Sequence, residues 1–111
     1  MTPLPIVLVP GFGNDARKLA WLAHTLRRAG LQPYSISPQP SSGKVPLDVL
    51  AGNLAQMIED SVGPDQPLNL FGYSMGGLIC RHYLQVLGGA VRTRRFVTLA
   101  TPHHGTWMAY L

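Results

Sequence analysis

Four short apolar runs alternate with three segments of helical periodicity, and this alternation limits the possible folds more than any other feature of the sequence. Ile6 to Val9 is β-branched and apolar throughout, as a strand covered on both faces would be. Pro10 to Gly13 ends it. Asn14 or Asp15 can then cap a helix, in which Ala16, Leu19, Ala20, Leu22, Ala23 and Leu26 keep helical spacing up to a stop at Gly30. Leu31 to Ile36 reads as a second strand, followed by a loop rich in Pro, Ser and Gly from Pro38 to Gly43. Pro46 suits a first helical turn, and Leu47, Leu50, Ala51, Leu54, Ile58 and Val62 form the apolar stripe of a second helix that Gly63-Pro64 stops. Leu68 to Phe71 is a third strand, Leu78 to Leu87 a third helix, and Arg95 to Ala100 a fourth strand.

Strands joined by helical crossovers must lie parallel, so the expected fold class is α/β: a parallel sheet of about four strands with helices on both faces. The length of 111 residues suits a single domain over residues 1–111. Sites in such sheets lie beyond the carboxyl ends of the strands. Three turns fall there, Pro10 to Gly13, Gly72 to Gly77 and Thr101 to Gly105, and they should converge on one side of the sheet.

The second of these turns carries chemistry. Gly72-Tyr73-Ser74-Met75-Gly76 matches G-x-S-x-G, the pattern of a nucleophile elbow. A sharp strand-to-helix turn pushes the serine hydroxyl out of the sheet's edge, and side chains two residues before and after it would collide, which is why Gly72 and Gly76 are the elbow glycines. The pattern alone is common; an apolar strand before it and a helix after it supply the required context. Ser74 is thus the candidate catalytic nucleophile. The backbone N–H of Met75, at the helix N-terminus, is a candidate oxyanion donor, and that of Phe12, in the turn after the first strand, is the candidate second donor.

Taken together, Gly11-Phe12-Gly13, Gly72 to Gly77 and Leu99-Ala-Thr-Pro-His-His-Gly-Thr106 resemble bacterial triacylglycerol lipases and related esterases of the α/β-hydrolase superfamily. The resemblance covers essentially the whole chain and begins at what would be the family's third strand. It implies hydrolysis of carboxylic esters or lipids through an acyl-serine, with no organic cofactor. Two departures stand out. Pro10-Gly11 occupies a place where the family usually has His-Gly. The family's triad runs Ser, then Asp or Glu, then His, yet no Asp or Glu follows Ser74; Asp15, Asp48, Glu59, Asp60 and Asp65 all precede it. The chain is therefore expected to be the nucleophile half of an incomplete α/β-hydrolase domain, ending before the triad acid and histidine. Two alternatives stay open: a catalytically inactive fragment or binding module with the same fold, or a thioesterase or acyltransferase.

His103 and His104 follow the fourth strand on the catalytic side and are site-adjacent candidates, although in the resembling family this pair is not the triad histidine. His82 lies two helical turns beyond Ser74 and His24 is on the first helix; both read as surface or packing residues. The histidine pair has no Cys or carboxylate beside it, so no metal site is expected. The apolar tail of Trp107, Met108, Tyr110 and Leu111 is either a lid or acyl-binding segment or the start of a helix.

Nine Lys plus Arg against five Asp plus Glu give a net charge of +4, but the basic residues are scattered; no nucleic-acid partner is expected, and contact with a lipid surface would be transient. Cys80 is the single cysteine and reads as a small buried apolar residue. The N-terminus lacks the positive segment of a signal peptide and no stretch approaches the ~20 apolar residues of a membrane span, so a cytoplasmic product is expected. The fourth strand should be a free edge that invites self-association.

Overall fold

The computed structural model describes residues 3–11, 15–38 and 45–101. In chain order its elements are β1 (Pro5–Val9), α1 (Asp15–Arg28), β2 (Gln32–Ser35), α2 (Leu47–Ser61), β3 (Leu68–Tyr73), α3 (Met75–Val86), a 3₁₀ turn (Gly89–Val91) and β4 (Thr93–Leu99). All strand pairs are parallel, in the order β2-β1-β3-β4. The departures from the sequence reading that matter most are at the third helix and the fourth strand. The third helix begins at Met75, three residues before Leu78, because Gly76 and Gly77 serve as its first turn rather than as a linker. The fourth strand begins at Thr93, and the bulge that skips Arg94 sets the register Leu70↔Phe96, which turns Phe96 toward the core.

Strand alternation splits the core into two layers. Val7, Val9, Leu68 and Leu70 face α2 and α3, where they meet Leu50, Ala51, Leu54, Ile58, Ile79 and Cys80. Leu8 faces α1 and packs with Leu19 and Ala23, flanked by Ile6, Phe71 and Tyr73. Helices therefore cover both faces. The chain moves from β1 to β2 with α1 on one face, and back across to β3 and on to β4 with α2 and α3 on the other. Reversing both direction and face gives all three crossovers the same hand. At the end of α1, Gly30 takes φ 84 and lets Leu31 N–H return to Leu26 O at 3.0 Å, the stop expected from the sequence.

Coverage of the two faces is unequal. α1 sits over β1 and β2. On the same face Val97 and Leu99 of β4 remain 53% and 55% exposed, and Trp21 of α1 is 65% exposed. Among the described residues β4 pairs only with β3, so its other edge is open. The opposite edge, β2, is four residues long and carries Pro33, features that blunt strand pairing. We expect the chain to self-associate through β4. Light scattering after size-exclusion chromatography should give a mass above one chain, and the double change Val97→Lys, Leu99→Lys should move it toward the monomer. A wild-type monomer with a cooperative thermal transition would refute this expectation.

Cys80 is fully buried and has no disulfide partner. Burial pushes its thiol up from 9.0 to about 12. The folded state thus holds the neutral thiol, while the unfolded chain ionises near the ordinary value, so this group lowers stability as pH rises above 9. The expected slope is about 1.4 kcal/mol per pH unit, and Cys80→Ala should flatten it. Denaturant titrations of both proteins between pH 8 and 11 check this; parallel pH profiles would contradict it.

Candidate active site

The chain reverses direction across the sheet between β1 and β3, so the helices that follow them, α1 and α3, lie on opposite faces, and sites in such sheets form at this switch point. Val9 pairs in register with Gly72, which places Pro10 and Gly11 beside the turn at Gly72 to Ser74. Two of the three turns singled out in the sequence thus meet here. The third joins them through Thr101, which follows β4.

The turn itself is severe. Ser74 has φ 57 and ψ −127, a positive φ that is costly for a residue with a side chain. It stands between the last residue of β3 and the first of α3, and it is half-buried. Its hydroxyl makes no capping bond to the helix. The glycines explain how so tight a turn packs. A Cβ on Gly72 would collide with the Gly77 backbone, one on Gly76 with the carbonyl oxygen of Val9 and, at 2.7 Å, that of Pro10. Without these glycines α3 could not start against the ends of β1 and β3.

Backbone and side-chain bonds fasten the turn to β4. Ser74 N–H donates to Leu99 O at 2.9 Å, and the Thr101 hydroxyl donates to Ser74 O at 2.9 Å. Ala100, between them, has φ 56, so two strained residues lie side by side on adjacent strand ends. From the other face Lys18 of α1 places its ammonium 5.7 Å from the centroid of the Tyr73 ring, a cation–π contact beside Ser74. The sequence reading placed Thr101 in the third converging turn but gave neither it nor Ala100 a role at the site. The available signal was Gly77, the second glycine of a pair, which a Cβ would drive into the Thr101 side chain.

Met75 is the first residue of α3, and the first N–H groups of a helix lack partners within it. They create a positive end directly after Ser74. Of the other residues read from the sequence, Phe12, His103, His104, the Asn14 cap and the Trp107 to Leu111 tail lie outside the described residues. His24 is exposed on α1, and His82 is half-buried on α3, two turns past Ser74. Glu59, Asp60 and Asp65 are exposed at the amino end of the sheet, away from Ser74, and Asp48 is exposed in the first turn of α2. Among the described residues no group of His, Cys, Asp or Glu could hold a metal ion.

The palmitoyl protein thioesterase family profile matches residues 5–109. The chain belongs to the palmitoyl protein thioesterase family. No curated protein matches it. Among solved structures, this thioesterase-family chain is similar to the mature Bacillus licheniformis lipase BlEst2, with a TM-score of 0.80 and 25% identity over 99% of this chain and 45% of that one. It is also similar to an extracellular α/β-hydrolase from a Paenibacillus species, with a TM-score of 0.73 and 21% identity over 89% of this chain and 41% of the other. The four-stranded sheet is a partial α/β-hydrolase fold, and this family member spans less than half the length of either neighbour.

Proposed function

We propose that this chain carries the nucleophile half of a serine acyl hydrolase, and that Ser74 is the residue acylated. The observation that carries the reading is the conformation of Ser74: a strained serine held between a strand end and a helix N-terminus, flanked by glycines that no other residue could replace. In this reading the turn is a nucleophile elbow. Ser74 Oγ attacks the acyl carbonyl while its proton passes to a general base. The negative charge on the carbonyl oxygen meets Met75 N–H, with Phe12 N–H as the second donor. The carbonyl re-forms, the bond to the alcohol or thiol breaks, and that group leaves with a proton. Water then attacks acyl-Ser74 and releases the fatty acid.

In this reading the base and its orienting acid are not among the described residues beside Ser74. No Asp or Glu follows Ser74, and three of the acids before it sit at the wrong end of the sheet. The leaving group has two readings. The likeness to a lipase favours an oxygen ester. The family match favours a long-chain acyl thioester, and one acyl-serine serves both. Incubating the chain in parallel with p-nitrophenyl palmitate and palmitoyl-coenzyme A, with imidazole as external base, tests the proposal. Both donors should leave the same acyl mass on Ser74; acylation from neither would overturn the reading, and acylation from one alone would fix the leaving group.

A further inference from the structure

Thr101 belongs to a stretch that resembles lipases but has no assigned role there, and its hydroxyl bonds the carbonyl that follows Ser74. Ser74 C=O and Met75 N–H belong to the same planar peptide unit and point in opposite directions. Whatever fixes the carbonyl therefore fixes the N–H. Two donors converge on that carbonyl: Gly77 N–H at 3.1 Å, from within the first turn of α3, and the Thr101 hydroxyl at 2.9 Å, from the end of β4. The first moves with the helix. The second anchors the peptide to the sheet. The Thr101 hydroxyl also approaches Leu99 O at 3.5 Å, and Leu99 O accepts Ser74 N–H, so the residue closes a ring of bonds around the turn. Its side chain lies against Gly77, where a Cβ would strike the hydroxyl, the methyl group and the Thr101 Cβ. A second glycine is needed after Gly76 because Thr101 occupies that space.

We propose that Thr101 is a positioning residue for the oxyanion hole. It aims the Met75 N–H at the substrate oxygen and, by bonding the carbonyl of the same peptide, strengthens that N–H as a donor. Thr101 touches no reacting atom; it acts through the Ser74–Met75 peptide. The peptide after a residue at φ 57 and ψ −127 is held from the helix by Gly77 N–H, and the Thr101 hydroxyl adds a hold from the sheet. The positive φ of Ala100 brings Thr101 back toward β3 for this purpose. The inference rests on Ser74 being the nucleophile and Met75 N–H an oxyanion donor.

The test uses Thr101→Val, which keeps the shape and loses the hydroxyl, and Thr101→Ser, which keeps the hydroxyl. The first readout is the backbone NMR signals of the Ser74 carbonyl carbon and the Met75 amide nitrogen. Thr101→Val should shift both, and Thr101→Ser should leave both near wild type. The second is the rate at which Ser74 takes an acyl group from p-nitrophenyl butyrate with imidazole as external base. The saturating rate should fall about tenfold in Thr101→Val, less than the 10²–10³ lost with an oxyanion donor itself. The half-saturating ester concentration should change little, and Thr101→Ser should recover the rate. Unmoved signals in Thr101→Val would overturn the inference. So would moved signals with an unchanged rate. If Ser74→Ala acylates as fast as wild type, the nucleophile reading falls and this inference with it; if Ser74→Ala is silent while Thr101→Val matches wild type, only the role of Thr101 falls.

Discussion

Gly76→Ala is expected to cost the chain roughly 3–5 kcal/mol, at the upper end of what a single substitution does. The added Cβ would meet two backbone oxygens, those of Val9 and Pro10, and not a side chain that could rotate away. Relief requires α3 to move off the end of β1. That movement would break the packing of Ile79 and Cys80 on Val7 and Val9, the centre of the larger core layer. A domain of this size has about 5–15 kcal/mol of stability in all, so much of the population should unfold at moderate temperature. Gly52→Ala is the control. Gly52 is an exposed glycine in α2 with open space around its Cα, and there alanine should be neutral or stabilising by up to about 1 kcal/mol. Thermal denaturation followed by circular dichroism compares the two. Equal midpoints would mean that α3 does not start where the structure places it.

The 111-residue chain should turn over p-nitrophenyl esters roughly 10⁶-fold more slowly than a complete serine hydrolase, the loss that follows when a triad acting as a unit has no base. Ser74 is held in a strained geometry, but no described residue beside it is placed to take its proton. His24 is exposed on α1 and His82 lies two turns along α3 from Ser74, and Glu59, Asp60 and Asp65 lie at the amino end of the sheet. Residual catalysis from the oxyanion site alone is independent of the nucleophile once the base is gone. Ser74→Ala should therefore change the unassisted rate little. Steady-state assays of both proteins check this. A turnover of ordinary enzyme size that Ser74→Ala abolishes would place a base within the chain, and His103→Ala and His104→Ala would be the first variants to make.

The fold was legible in the sequence because two periodicities coincide with burial. The all-apolar Ile6 to Val9 run is the most deeply buried strand, flanked on both sides by others, and the stripe Leu50, Ala51, Leu54, Ile58 is the buried face of α2. The helix start at Met75 was legible only in part: the elbow pattern puts a helix N-terminus after Ser74, but the apolar periodicity begins at Leu78, and why Gly76 and Gly77 fill the first turn shows only in the close approach of β1 and Thr101. The bulge at Arg94 was hidden for a similar reason, since it depends on pairing with β3, whereas the short turn Gly89–Val91 closes on its own backbone bonds and packs against Tyr83 of α3. At the candidate site the sequence pattern located Ser74 and its glycines, whereas the bond from Thr101 joins residues 27 apart in the chain and needs the sheet to bring them together.

The central claim is that Ser74 is an acyl-accepting nucleophile that lacks only its base. The direct measurement is intact-mass spectrometry of the chain after incubation with p-nitrophenyl butyrate, with and without imidazole, followed by fragmentation to locate the acyl group. The account predicts one butyryl group on Ser74, formed at least about tenfold faster with imidazole, because the external base restores part of what a positioned one gives, and no such adduct in Ser74→Ala. An imidazole-stimulated adduct scattered over other residues, or one that persists in Ser74→Ala, would contradict it.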